Sequence, residues 1–228
     1  LRISATDASD TFTSSAAKVF NNAITVTNGT YNANASTTTA AGTVTVSGGT
    51  YQTGTATQTF NNVVDITGGS MVASTGQISV LGYISVSAGS FVGNSGILDV
   101  NNSLVLTGGT FTAPSGTSAT AFTLTGGIQS LGGTFNHNNG TVTFDPSVDH
   151  QFFGSGVTFN NATFSEASNN TADSTVTLTA GETYTILGTL SVDGLDANDM
   201  LNIVSSSNGV MAYFNMTGTA AFSATHDF

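Results

Sequence analysis

The chain has no cysteine, which excludes a disulfide framework and any thiolate metal site. Lys and Arg together number two, Lys18 and Arg2, against 13 Asp and Glu, for a formal net charge of -11. Neutralising phosphates takes clustered basic side chains, so nucleic acid is not an expected partner. The same scarcity leaves no basic face for an anionic membrane surface. Charged residues of all kinds make up 7% of the chain, well below the roughly 25% usual in soluble domains. No apolar run approaches the ~20 residues of a membrane-spanning helix. The opening stretch LRISATDASD lacks the basic-then-apolar pattern of a secretory leader, so an exported form would have lost its leader already or carry it outside this sequence.

What is present is repetition. The phrases ITVTNGTY from Ile24, VTVSGGTY from Val44, VDITGGSM from Val64, ISVSAGSF from Ile84 and LVLTGGTF from Leu104 recur at one constant interval. That interval, about 20 residues, is the scale of solenoid repeats. Glycine holds one phase at Gly29, Gly49, Gly69, Gly89 and Gly109, and again, after a short insertion, at Gly133. A glycine required at one phase points to a positive φ or to a turn with no room for a side chain. A second column alternates Asn22, Gly42, Asn62, Gly82 and Asn102. Asn and Gly visit the left-handed region most cheaply, so this column also predicts special turns, with Asn amides bonding along the stack.

Between the turns the pattern has period two. Ile24/Val26, Val44/Val46, Val64/Ile66, Ile84/Val86 and Leu104/Leu106 alternate with small polar residues, as half-buried strands do. A second short strand carries Tyr31, Tyr51, Met71, Phe91, Phe111 and Phe135, and a third precedes the Asn/Gly turn near Phe20, Phe60, Val80 and Val100. No stretch has helical periodicity. Three short strands in about 20 residues predict one coil of an all-β, single-stranded parallel β-helix, right-handed, in which stacked coils bury a continuous core. An antiparallel sandwich would not hold two turn columns in one fixed phase. At that period the chain would make about 11 coils, a rod of roughly 50 Å. Residues 1–118 read as regular coils; residues 119–228 read as the same solenoid with longer coils and protruding loops.

The phrases LTGGTFTAPSGT, GGTFNHNNGTVTFD, TFNNATFS and STVTLTAGETYTILGTLSV resemble repeats of large bacterial cell-surface and secreted β-helix proteins, adhesin-like or autotransporter-passenger-like stalks. The resemblance covers roughly residues 105–192. It implies a secreted or cell-surface location and a stalk or adhesin role, and it brings no catalytic residues with it.

Chemistry-bearing side chains are sparse. His137, His150 and His226 have no metal-ligand spacing; His137 in FNHNNG reads as a turn residue, and His150 adjoins Asp149. Asp193, Asp196 and Asp199 are the calcium candidate, because Ca²⁺ takes several hard oxygens on a flexible loop. Their spacing does not match the EF-hand loop, and a solvated loop is the plainer reading. Asp65 and Asp99 are the acids of the regular coils, at phases that should not share a face, so paired-carboxylate glycoside hydrolysis is not expected. The outward pairs Thr25/Thr27, Thr45/Ser47, Asp65/Thr67, Ser85/Ser87 and Val105/Thr107 resemble an ice-binding threonine array, but Asp65 and Val105 interrupt it. Asn28, Asn34, Asn101, Asn139, Asn161, Asn169 and Asn215 match N-x-[ST], a pattern this composition produces by itself. The expectation is a non-enzymatic extracellular structural protein, either a segment of a longer rod or a subunit whose open ends meet other copies of itself head to tail. Glycans or other surface components are the alternative partners, for an adhesin; a polysaccharide-active enzyme or an ice-binding protein ranks below both.

Overall fold

The computed structural model describes residues 1–144, 150–165, 174–193 and 201–225. The described residues form strands joined by turns and irregular segments, without helix, and the strands pair in parallel along the stack. One isolated antiparallel bridge, Ser207 to Val210, closes a turn.

Each circuit lays down three short strands that stack on the same three of the circuit before. The first face begins Arg2–Ser4, Ile24–Asn28, Val44–Val46 and continues through Val64–Val72, Ile84–Val92 and Leu104–Leu106. Its register places Ile24, Val44, Val64, Ile84, Leu104 and Ile128 in one column. The second face begins Thr11–Thr13, Thr30–Asn32, Thr50–Gln52. The third runs from Lys18–Phe20 to Ala221–Thr225 as one ten-stranded sheet. Ten rungs at the inter-strand spacing make a stack of roughly 45 Å. The 11-coil expectation is high because later circuits lengthen. Ala162 pairs with Leu190, and Leu190 with Phe222, both wider steps along the chain than Ile24 to Val44. Pairing does not break near residue 118, since Leu98–Val100 stacks directly on Phe122–Leu124.

Alternation decides what is inside. Ile24, Val26, Val44, Val46, Val64 and Ile66 are fully buried, as are Tyr31, Tyr51, Met71, Phe91 and Phe111. Each side chain of that size contributes about 1.5–3 kcal/mol when removed from water. The aromatic column stacks, with Phe91 and Phe111 ring centroids 4.7 Å apart at 13° and Phe111 and Phe135 6.0 Å apart at 9°. One cluster of buried apolar side chains extends from Ile24 to Leu201.

The glycine column shows both predicted causes. Gly29, Gly89 and Gly109 have positive φ. At Gly69 φ is not positive, and space decides instead: a Cβ would stand 2.3 Å from the carbonyl oxygen of Gly49 one circuit below. The Asn/Gly column differs from expectation. None of Asn22, Gly42, Asn62, Gly82 and Asn102 has a positive φ. At Gly42 a Cβ would meet the Ala23 nitrogen at 2.6 Å. Asn62 and Asn102 accept the next backbone N–H, from Val63 at 2.8 Å and Ser103 at 2.7 Å, rather than bonding along the stack. The corner is set by local side-chain acceptance and close packing, not by left-handed backbone.

Candidate functional site

Polar chemistry is scattered by the coil geometry. Asp65 points outward on the first face between Thr45 and Ser85. Asp99 points outward on the third, where its Oδ1 accepts the Thr123 hydroxyl at 2.7 Å. The two carboxylates therefore occupy different faces, as their phases require. His137 is a turn residue: its Nδ1 accepts the Asn139 N–H at 3.0 Å, beside Asn138 and Asn139 at φ 48° and 57°. Partial burial pushes the His137 imidazole below its ordinary pKa. His150 begins the strand His150–Gln151, while Asp149 and His226 lie outside the described residues. Of the calcium candidate, Asp193 closes the strand Thr189–Asp193 half-buried and already engaged with a neighbour; Asp196 and Asp199 lie outside the described residues. Among the described residues no three His, Asp or Glu side chains come together as metal ligands.

The first face carries Thr25, Thr45, Asp65, Ser85, Val105 and Gln129 in one outward column, so the interruptions fall where the sequence puts them. The second face holds a more regular column that sequence reasoning passed over. Thr11, Thr30, Thr50, Ser70, Ser90, Thr110 and Thr134 stack without interruption. The signal was the Thr or Ser after each glycine of the repeat. Its outward neighbours are mixed, Asn32, Gln52, Val72 and Val92 among them, so it is a single hydroxyl file, linked internally where Ser70 and Ser90 hydroxyls lie 3.0 Å apart.

Inside the early circuits lies a polar file that the sequence did not announce. On the third face Thr38 and Gln58 occupy the inward register position that Ile78 and Leu98 take later. Gln58 is fully buried. Its Oε1 accepts the Tyr51 hydroxyl at 3.3 Å, and its Nε2 donates to the carbonyls of Ser36 at 3.0 Å and Ala56 at 3.1 Å. Burial, with Tyr31 adding to it and the Thr38 hydroxyl opposing, pushes the Tyr51 phenol far above its ordinary pKa.

Two cavities differ in character. One of about 270 Å³, over the third face, is lined by Thr117, Ala119, Thr141, Asn161, Thr163 and Thr189. Its polar groups serve one another. Thr141 donates to the Thr117 carbonyl at 3.0 Å, Asn161 Nδ2 to the Thr141 hydroxyl at 3.2 Å, and Thr189 N–H to Asn161 Oδ1 at 2.9 Å. It ties a loop to the sheet and offers a ligand little. The other, about 440 Å³, opens beside the last strands of the core and is lined by Leu190, Val192, Leu201, Asn202, Ile203, Phe214 and Phe222. Around it Val204, Tyr213 and Phe222 are 43–55% exposed. The strands there, Leu201–Ser205, Tyr213–Met216 and Ala221–Thr225, pair on one side only among the described residues. These strand edges thus stand beside partly exposed apolar side chains.

The fold defines a class, a parallel β-solenoid of about 20 residues per circuit. The chain matches no family model, no curated protein and no solved structure, so the resemblance to bacterial surface repeats speaks for the architecture and enters the function as a reading.

Proposed function

We propose that this chain is an extracellular structural protein of a bacterial cell surface, a β-solenoid stalk or fibre-forming subunit that assembles head to tail through its ends. The observation that carries this reading is the continuous core cluster from Ile24 to Leu201, built rung on rung, with Asp65 and Asp99 of its regular circuits on separate faces. A stacked parallel sheet gives length and stiffness per residue, and solenoid stability accrues from neighbour-on-neighbour contacts. Two cations in 228 residues leave trypsin-like proteases little to cut, which suits an exposed rod. Enzymatic activity is not part of the proposal. Neither is tightly held calcium.

Electron microscopy and small-angle scattering of the purified protein test the reading. The expected particles are rods with a long axis of roughly 45 Å or end-to-end multiples of it. Compact particles without a long axis, or release of new reducing ends from a panel of polysaccharides, would overturn it. Saturable retention on immobilised glycans by an otherwise rod-shaped protein would turn the reading to an adhesin.

A further inference from the structure

Among the described residues, pairing on the second face breaks once, in the middle of the stack. Thr134–Asn136 pairs only downward, with Thr110–Thr112. The next strand, Thr158–Phe159, pairs only upward, with Thr183–Ile186. At the same level the other two faces stay joined. The Ser155 N–H donates to the Ser130 carbonyl at 2.9 Å where the first face turns into the second, and on the third face Thr141–Phe144 pairs with Asn161–Ser165. One junction lower, the Thr134 N–H donates to the Gly109 carbonyl and the Ala113 N–H to the Asn136 carbonyl, each at 2.9 Å. Their counterparts at the break, the Thr158 and His137 N–H groups, have no acceptor among the described residues. The aromatic column changes there too. Phe111 and Phe135 lie nearly parallel, at 9°, but Phe135 meets Phe159 edge-on, at 62° and 5.6 Å. Phe111 is fully buried and Phe135 only half-buried. A cavity of about 340 Å³ follows the break, with Thr134 and Phe135 on one side and Gly156 and Thr158 on the other. Glu182 of the circuit above accepts the Gly156 N–H at 2.8 Å, so the chain entering Thr158 is tied upward rather than down.

We propose that this break is a hinge of the solenoid, at which the second face opens while the first and third hold, so that the circuits above tilt against the circuits below. Opening the second face one junction lower would break the ladder bonds of Thr134 and Ala113 and part a parallel ring stack. Opening it at the break costs no ladder bond and parts one edge-on ring contact. Local opening follows the least protected route, and a hinge needs only a few residues at element ends to absorb the change. A further strand cannot take the gap, because it is closed along the strand direction. The Ser155 to Ser130 bond closes one end, and at the other Asn160 Nδ2 donates to the Asn139 carbonyl at 2.8 Å. What the gap permits is tilt. The hinge rests on the fold and not on the function proposed above, and it holds equally for a stalk, a fibre subunit or an adhesin.

The chain has no cysteine, so nitroxide labels attach only where cysteines are placed. Thr110→Cys with Thr185→Cys sets a pair of labels across the break on the second face. Thr50→Cys with Thr110→Cys spans as many rungs of the same face without crossing it. Thr123→Cys with Ser191→Cys crosses the same level on the third face. Pulsed electron–electron resonance should give a distance distribution for the first pair at least roughly twice as wide as for either control. Equal widths would overturn the hinge, and so would a broad distribution for all three pairs, because bending would then not be local. Hydrogen exchange of the unlabelled protein tests the break without any substitution. The Thr158 and His137 amides should exchange at least roughly tenfold faster than those of Thr134 and Ala113. A Thr158 amide protected as well as that of Thr134 would show the ladder closed at this level and overturn the hinge as well.

Discussion

His137 accepts the Asn139 N–H through Nδ1, an arrangement that only the unprotonated ring can make. Partial burial already lowers its pKa below the ordinary 6.5, so near that value the folded chain binds fewer protons than the unfolded one. Stability from this group is then complete above the unfolded pKa and is lost as pH falls through the folded one. Asparagine at this position supplies a carbonyl acceptor that does not titrate, as Asn136 does for the Asn138 N–H at 3.0 Å. The wild-type melting temperature should therefore fall relative to His137→Asn between about pH 7.5 and pH 5, with the two curves parallel above neutrality. Thermal melts across that range check it; a constant offset would mean the ring's protonation is silent. The turn itself was readable from FNHNNG, but the acceptor role was not, because a sequence does not say which ring nitrogen faces a backbone donor.

On the third face, the early strands Thr38–Ala40 and Gln58–Phe60 place Thr38 and Gln58 in a column that is apolar from Ile78 onward. Alternation made Phe60 legible as core. It gave no reason to put Gln58 there, since a glutamine two residues before an aromatic reads equally well as an edge residue. The deciding partner is remote in sequence: Ser36, whose carbonyl accepts from Gln58, belongs to the circuit below. Gln58→Leu takes the acceptor from the buried Tyr51 hydroxyl and should cost about 1–3 kcal/mol. Tyr51→Phe removes the other partner, so the double variant should cost less than the sum of the singles, with a coupling of about 0.5–3 kcal/mol. Urea midpoints of the four proteins give the cycle directly. Strict additivity would show that the pair is a neighbour contact and not an energetic unit.

Over the whole molecule, stability is distributed as rung-on-rung contacts, and removal of a terminal rung should leave the rest standing. The sequence permits tryptic cleavage only after Arg2 and Lys18, both in the first circuit, while the core cluster begins at Ile24. Limited trypsinolysis should end at a fragment beginning with Val19 that keeps its sheet circular dichroism and resists further digestion. Mass spectrometry and spectra of the digest decide this. Loss of sheet signal once the first circuit is cut would show that the rungs fold as one indivisible unit.

The winding was already written in one dimension. A constant phase of glycines and alternating apolar pairs admits one economical packing, like upon like, because each strand can bury its apolar side chains only by resting on its own repeat. Composition likewise excludes thiolate chemistry, since the chain has no cysteine. Why each corner residue stands where it does emerges only when the circuits stack. Gly69 is demanded by a carbonyl one circuit away and Asn62 by its own next amide, yet both look like the same turn signal along the chain. Stacking also puts a glutamine inside, and it brings the core to the surface as an apolar cavity among Ile203, Phe214 and Phe222, residues separated along the chain that meet only when the last circuit closes.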